Sequence, residues 1–375
     1  MALQSSIRRR TTGLACDGAS VARLDFITAI PQDVRRGSGC LAGIQTLAKG
    51  LAALECDVAL VMPGLHFPAF SLERIYFNEC LRFRSFRPRT VTVGFDADGY
   101  SIAGRRGSLH VASIKSVVAD VLPFEHGVVR ASMAVQAYLE KLHARRADLV
   151  VTPSRYCAEY LDEHYHVRNA VVIPELIDLS LWHDLLRDAI PPPVNGRFTV
   201  LCVCRFYPRK RVHLLLQAPA MLRARISELE VRIVGGGMEA TRLHRLWRDL
   251  HLEGTVHWVG DVTLPQLAAE YRRSHVFCLP SVQEGFGIVF LEAMAAGKPI
   301  VASRSAAVPE VVEYGCLVEP ENAEALAGGI ETLYSNAELR MRLGEMGQRS
   351  VERFEMKRVA RIFLDTISRI RKPSI

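Results

Sequence analysis

The sequence predicts an α/β protein made of two doubly wound parallel sheets that face each other across a cleft. Three observations carry this. Short apolar runs alternate with helix-period stretches along most of the chain. The alternation stops near residues 180–197, where Pro191, Pro192, Pro193, Asn195 and Gly196 exclude regular structure, and then restarts. A length of 375 residues is too great for one ordinary core and suggests two.

The elements follow in chain order. Residues 1–22 carry Arg8, Arg9 and Arg10 without an apolar segment behind them, which reads as a flexible arm and not as a secretory signal. Leu24–Ile30 is a strand, and residues 37–53 a loop and an amphipathic helix. Asp57–Met62 is a strand closed by Pro63 and Gly64; Thr90–Phe95, Ala147–Thr152 and Ala170–Ile173 are further strands. Together they make residues 23–180 the first domain, with a linker at 181–197. In residues 198–350, Phe198–Cys204, Glu230–Val234, Val256–Val259, Val276–Leu279 and Pro299–Ala302 read as strands, each followed by a turn and a helical pattern. From about Asn322 to Ile370 the pattern is helical.

Composition narrows the function classes. Apolar residues make up 49% and charged residues 23%, which fits a globular protein with a sizeable core. No apolar run reaches the roughly 18 residues of a membrane span. The net charge of +7 favours anionic partners without choosing among them. Nine cysteines show no repeating framework, and Cys202 with Cys204 has no second pair at zinc-ligand spacing. They read as reduced thiols in a cytoplasmic protein. No recognised nucleic-acid module is present.

In doubly wound sheets ligands bind beyond the carboxyl ends of the strands, so the residues following each strand matter most. VRIVGGGMEA fits G-x-G-x-x-A with Gly235, Gly237 and Ala240, where glycine lets the backbone approach a diphosphate. A tight strand-to-helix turn would need the same glycines. Asp261 is the nearest acid to the place where a dinucleotide site keeps its ribose-binding carboxylate. In CRFYPRKR, Arg205 ends a strand and Lys210 opens the next helix, two cations suited to a diphosphate or to a solvated helix start. In QEGFGIVFLEAMAAGKPI, Glu284 and Glu292 are separated by seven residues around a helix start. The amides of Phe286, Gly287, Ile288 and Val289 point out of that N-terminus, where an anion is favoured. Two carboxylates so placed suit hydroxyl recognition, and equally an N-terminal charge with a solvated helix residue.

These motifs, in this order and spacing, resemble the retaining glycosyltransferases of family 4, with their E-x7-E pair. SVQEGFGIVFLEAMAAGKPIVAS, CRFYPRKRVHLLLQA, VRIVGGGMEATRLHRL, VHWVGDV and RFEMKRVARIF carry the likeness, which is strong over 180–375 and loose over 23–180. The resemblance implies the GT-B architecture, in which residues 23–180 hold the acceptor, residues 198–350 hold the nucleotide-sugar, and residues 351–375 form a helix that packs back on the first domain. It implies that Arg205 and Lys210 hold a diphosphate, Glu284 contacts the donor sugar and Glu292 the ribose. The amides of Gly285 to Val289 would meet sugar or phosphate, and backbone near Gly260, Asp261 and Val262 would meet the base. Gly37 and Gly39 occupy the place of the family's glycine-rich loop, without the common adjacent pair. His126, in LPFEHGVV, falls where related enzymes keep a histidine near the sugar. Asp96 and Asp98 resemble a strand-end loop of one subset. Glu175 and Leu176 replace the usual Asn-Gly of the hinge segment VIPELID.

The implied reaction is retaining transfer of a hexose from a UDP- or GDP-linked donor to a hydroxyl acceptor: a glycan, a lipid-linked saccharide or a small molecule. The implied mechanism needs no metal and no resident cofactor. The acceptor stays open. CLRFRSFRPRT interleaves Arg82, Arg84, Arg87 and Arg89 with Phe83 and Phe86, a pattern suited to peripheral contact with an anionic membrane face or to a bent surface strand. Two other readings remain: a non-catalytic nucleotide-sugar-binding protein, and a dinucleotide-dependent oxidoreductase resting on Gly235 and Gly237.

Overall fold

The computed structural model describes residues 23–30, 39–65, 67, 70–87, 90–191 and 196–370. The N-terminal arm, Gly37 and Arg89 lie outside the described residues. Two six-stranded parallel sheets form. The first contains β1 (Arg23–Ile27), β2 (Asp57–Val61), β3 (Thr90–Phe95), β4 (Leu109–Ser113), β5 (Leu149–Thr152) and β6 (Val171–Val172), in the order β2-β1-β3-β4-β5-β6. The second contains β7 (Phe198–Val203), β8 (Leu229–Val234), β9 (Val256–Gly260), β10 (Val276–Leu279), β11 (Ile300–Ser303) and β12 (Cys316–Val318), in the order β12-β11-β10-β7-β8-β9. All pairings are parallel, so helical crossovers cover both faces and the central strands are buried throughout. Strand order reverses between β1 and β3, and again between β7 and β10. These switch points open crevices at the carboxyl ends of the strands.

Two strands, β4 and β12, are absent from the sequence expectation. In β4 the apolar run is broken by His110, which is buried because its Nε2 meets His143 Nε2 at 2.7 Å and its Nδ1 meets Thr92 Oγ1 at 2.7 Å. The strand β12 has only three residues, too few for a period to show.

The chain crosses between the sheets twice, side by side. Ile177 and Glu355 form an isolated parallel bridge, with Ile177 N–H donating to Phe354 O at 3.0 Å and Met356 N–H to Ile177 O at 2.9 Å. The stretch 181–197, expected as a linker, is helical over its first half. Leu179–Asp188 is a helix capped by Asp178, whose Oδ1 accepts from Leu181 N–H at 3.0 Å. Its Leu179 and Trp182 join the second core, so the crossing precedes this helix and the prolines follow it. A proline run in a sequence excludes regular structure, and such a run need not fall between domains. The last helix, Met356–Ser368, returns to the first domain, where Met356, Val359, Ala360, Phe363 and Ile367 share a core with Leu24, Ile44 and Leu51. It crosses the helix Gly39–Ala52 at Gly50, where a Cβ would come within 2.9 Å of Ala360 Cβ.

Candidate active site in the interdomain cleft

The second switch point brings β7 and β10 side by side, and the loops that follow them carry the predicted residues. After β7, Lys210 does not open the helix as expected. It ends a 3-10 turn, Pro208–Lys210, and Arg211 turns the chain through φ 50° before the helix Val212–Leu222. Pro208 favours this turn because its fixed φ and missing N–H suit a first helical position. The turn aims Lys210 at the next loop, where its Nζ donates to Glu284 Oε1 at 2.5 Å, although the two are 74 residues apart. Their side chains are only 13% and 8% exposed, so the pair is largely out of water.

Beyond β10 the loop 280–287 enters the helix Ile288–Ala295 through Gly287, at φ 90°, where a Cβ would strike Phe290 Cδ2 at 2.6 Å. Only glycine fits this position, and it sets the helix N-terminus just after Glu284. Glu292 lies one turn further in. Its carboxylate accepts from Tyr271 O–H at 3.0 Å, and burial pushes its pKa up to about 7 against that bond. Tyr271, from the helix Leu264–Arg273, is fully buried, and sequence reasoning did not single it out. Arg205 pairs with Asp261, Nη1 to Oδ1 at 2.9 Å, so two residues expected at different parts of a nucleotide touch each other. Val262 is half-buried beside them.

Gly235 and Gly237 have a packing reason. A Cβ on Gly235 would lie 2.1 Å from Cys204 O, and one on Gly237 would lie 2.6 Å from Phe206 N. Phe206 N–H donates to Gly236 O at 2.9 Å. The two glycines therefore bring the turn after β8 against the loop that carries Arg205, the tight-turn alternative raised by the sequence.

The first domain closes the other side. Gly39 opens its helix 3.9 Å, measured from an ideal Cβ, from Ile288 Cδ1. Gly285 packs on the first domain: a Cβ there would lie 2.7 Å from Lys115 O. Phe286 is buried edge-on against Phe354, and Val289 O accepts from Tyr271 O–H at 3.2 Å. His126 is exposed at the start of the helix Gly127–Arg146. Its neighbours face the second domain, since the Arg211 guanidinium lies 5.5 Å from the centre of the Phe124 ring. The remaining acids find partners within the first domain. Asp98 is fully buried, accepting from Arg74 Nε at 2.8 Å, Asn78 Nδ2 at 3.0 Å and Ala29 N–H at 2.7 Å. Asp96 accepts from Lys115 N–H at 2.8 Å, and Glu175 pairs with Lys115 Nζ at 2.9 Å.

Two parallel-sheet domains with facing switch points, joined by a returning helix, define the GT-B class. The family profile "Glycosyl transferases group 1" matches residues 188–350. The lipopolysaccharide core biosynthesis glycosyltransferase LpsE of Rhizobium meliloti is 33% identical over 255 residues, 66% of this chain and 72% of that protein. The chain belongs to this glycosyltransferase family. A GDP-mannose-dependent alpha-(1-6)-phosphatidylinositol monomannoside mannosyltransferase of Mycobacterium tuberculosis is 32% identical over 165 residues, 41% of this chain. The matched stretch spans less than half of that relative's length, 43%. Sucrose-phosphate synthase from Thermosynechococcus elongatus shares the fold with a TM-score of 0.77 at 22% identity, over 92% of this chain and 98% of that one.

Proposed function

We propose that the protein is a retaining glycosyltransferase of the family 4 type, moving a hexose from a UDP- or GDP-linked donor to a hydroxyl acceptor. The observation that carries this is the buried Lys210–Glu284 pair at the N-terminus of the helix Ile288–Ala295, at the β7/β10 switch point. A cation from one loop meeting a carboxylate and a helix N-terminus from the next suits a diphosphate beside a sugar hydroxyl. Arg205 exchanges Asp261 for the diphosphate, and Lys210 with the helix amides stabilises it as it leaves. Glu284 reads the sugar, and Glu292 the ribose. Gly39 lies toward the diphosphate; the backbone from Asp261 to Val262 meets the base; His126 lies toward the sugar from the opposite wall. The bond from the anomeric carbon to the phosphate oxygen breaks. The bond to the acceptor oxygen forms on the same face, and the acceptor proton passes to the leaving phosphate. The cations supply the charge that a metal would otherwise supply, and no resident cofactor takes part.

The test is release of free nucleoside diphosphate from UDP-, GDP-, ADP- and dTDP-sugars in the presence of a chelator. One donor is expected to be cleaved by wild type, and by neither Glu284→Ala nor Lys210→Ala. Cleavage that survives both substitutions refutes the site. Binding of a donor with no release across a broad acceptor panel refutes turnover and leaves a binding protein.

We also propose that the protein works in the cytoplasm, in peripheral contact with an anionic membrane face. Among the described residues no helix is long and apolar enough to cross a membrane. Phe83 is 89% exposed, next to the exposed Arg82, Arg84 and Arg87, and Arg105 donates to Arg84 O at 3.1 Å, which adds a fourth arginine to the patch. Leu72 and Tyr76 continue an exposed apolar stripe along the helix Phe70–Leu81 toward Phe83. Cosedimentation with vesicles containing a third anionic lipid is expected and is lost with neutral vesicles. Phe83→Ser combined with Arg84→Glu is expected to weaken it at least tenfold; binding unchanged by that pair removes the patch from the proposal.

A further inference from the structure

The loop that carries Glu284 is held from two sides by the opposite domain. On one flank, Gln283 Nε2 donates to Asp120 Oδ2 at 2.8 Å across 163 residues of chain. Both side chains are buried, Gln283 at 2% exposure. Asp120 is itself fixed, because Tyr156 O–H reaches its two oxygens at 3.0 and 2.9 Å. On the other flank, Ser154 Oγ donates to Gly285 O at 2.8 Å, and Ser154 is 2% exposed. Ser154 is anchored in turn from the second domain. Glu310 accepts from Arg155 N–H at 2.9 Å and from Tyr156 N–H at 2.8 Å, which ties the first turn of the helix Arg155–Tyr160 to the loop's own domain. Close approach is built in, since any side chain on Gly285 would meet the Lys115 carbonyl.

We infer that Asp120 and Ser154 are positioning residues for the donor: by gripping Gln283 and Gly285, they fix Glu284 between them from across the cleft. The inference rests on the proposed function and assigns part of donor recognition to the domain expected to hold the acceptor. Within its own domain the loop is tied at Val282, whose N–H donates to Arg209 O at 2.9 Å, and at Glu284, whose O accepts from Ala307 N–H at 3.3 Å. The Lys210 bond fixes one oxygen of Glu284. The Gln283 side chain and the Gly285 carbonyl are held by the other domain. Opening the cleft breaks both contacts together, so only the closed state keeps all of these ties on the loop that carries Glu284. A displacement of about 1 Å at a group that reads the reacting sugar costs on the order of a hundredfold in rate.

The experiment exchanges the charge across the contact at pH 8. Gln283→Glu sets two carboxylates against each other; Gln283→Glu with Asp120→Asn restores one acceptor and one donor in reversed order. Three readouts are taken on the full chain: donor cleavage, affinity for free UDP and GDP, and melting by scanning calorimetry. Gln283→Glu is expected to lower donor cleavage about thirtyfold, change nucleoside diphosphate affinity less than threefold, and separate the melting of the two domains. The double substitution is expected to restore cleavage and melting to within about threefold and a few degrees of wild type. A general folding defect would weaken affinity and cleavage together, which overturns the positioning role. A double variant that binds nucleotide as wild type does but stays as slow as the single also overturns it. Wild type that takes no nucleoside diphosphate overturns the function itself, and with it this role, and so is distinct from failure of the exchange alone.

Discussion

Lys210→Met is expected to lower kcat/KM for donor cleavage by about 10²–10³, the range seen when one preorganised donor to a developing negative charge is removed. The same substitution is expected to destabilise the second domain by about 3 kcal/mol, because Glu284, 8% exposed, then keeps its charge without a partner. For a domain of this size that is a drop in Tm of about 6–12 °C. Methionine keeps the packing of the lysine stem, so charge is the variable. Lys210→Met combined with Glu284→Gln removes both charges and is expected to recover most of the lost stability and none of the lost activity. Thermal unfolding and steady-state kinetics on the four proteins of this cycle check both statements. Equal recovery of activity would mean that the pair is structural. No loss of stability in the single variant would mean that Glu284 is solvated.

Glu292→Gln is expected to stabilise the fold while weakening the nucleotide site. In the folded state burial holds the Glu292 pKa at about 7, above its ordinary value of 4.5. An acid whose folded pKa is raised favours the folded state while protonated, so this contribution is lost as the pH rises from about 4.5 through about 7. At pH 8 the ionised, buried carboxylate costs on the order of 1–3 kcal/mol, and glutamine removes that cost while keeping an oxygen for Tyr271 O–H. Melting curves should therefore separate the two proteins at pH 8, draw them together at pH 5 and superimpose them near pH 4. If Glu292 accepts hydroxyl bonds from the ribose, only the carboxylate accepts fully, and affinity for the nucleoside diphosphate should rise about tenfold from pH 6 to pH 8. The β-phosphate also titrates in this window, so the glutamine variant supplies the phosphate contribution and the difference belongs to Glu292. A wild type that is as stable relative to the variant at pH 8 as at pH 5 contradicts the buried-acid account.

The local sequence determined the α/β class and most strand positions, and it marked the loops that the proposed site uses. Thr90–Phe95 and Val276–Leu279 form the strands expected at those residues, because runs of β-branched and apolar residues between turn signals have few alternatives. The loop around Glu284 was legible for a similar reason: Gly285 and Gly287 stand where no side chain fits, and that constraint is written in the residue type. A polar residue hid β4, because His110 is matched in the core by Thr92 from the neighbouring strand and by His143 from a helix 33 residues away.

Partnership was the property that only the tertiary structure decided. Glu284 and Glu292 are near neighbours in sequence, yet one is matched by Lys210 and the other by Tyr271, and the two carboxylates are left in different environments. Arg205 and Asp261 were expected on different parts of a ligand and are bonded to each other. Asp120 and Ser154 carry no motif and meet Gln283 and Gly285 only because the cleft closes. A side chain's type and its place after a strand are local facts set by backbone chemistry. What it touches depends on strand order and on how two domains face each other, and those are fixed by burial summed over the whole chain, to which any single residue contributes little.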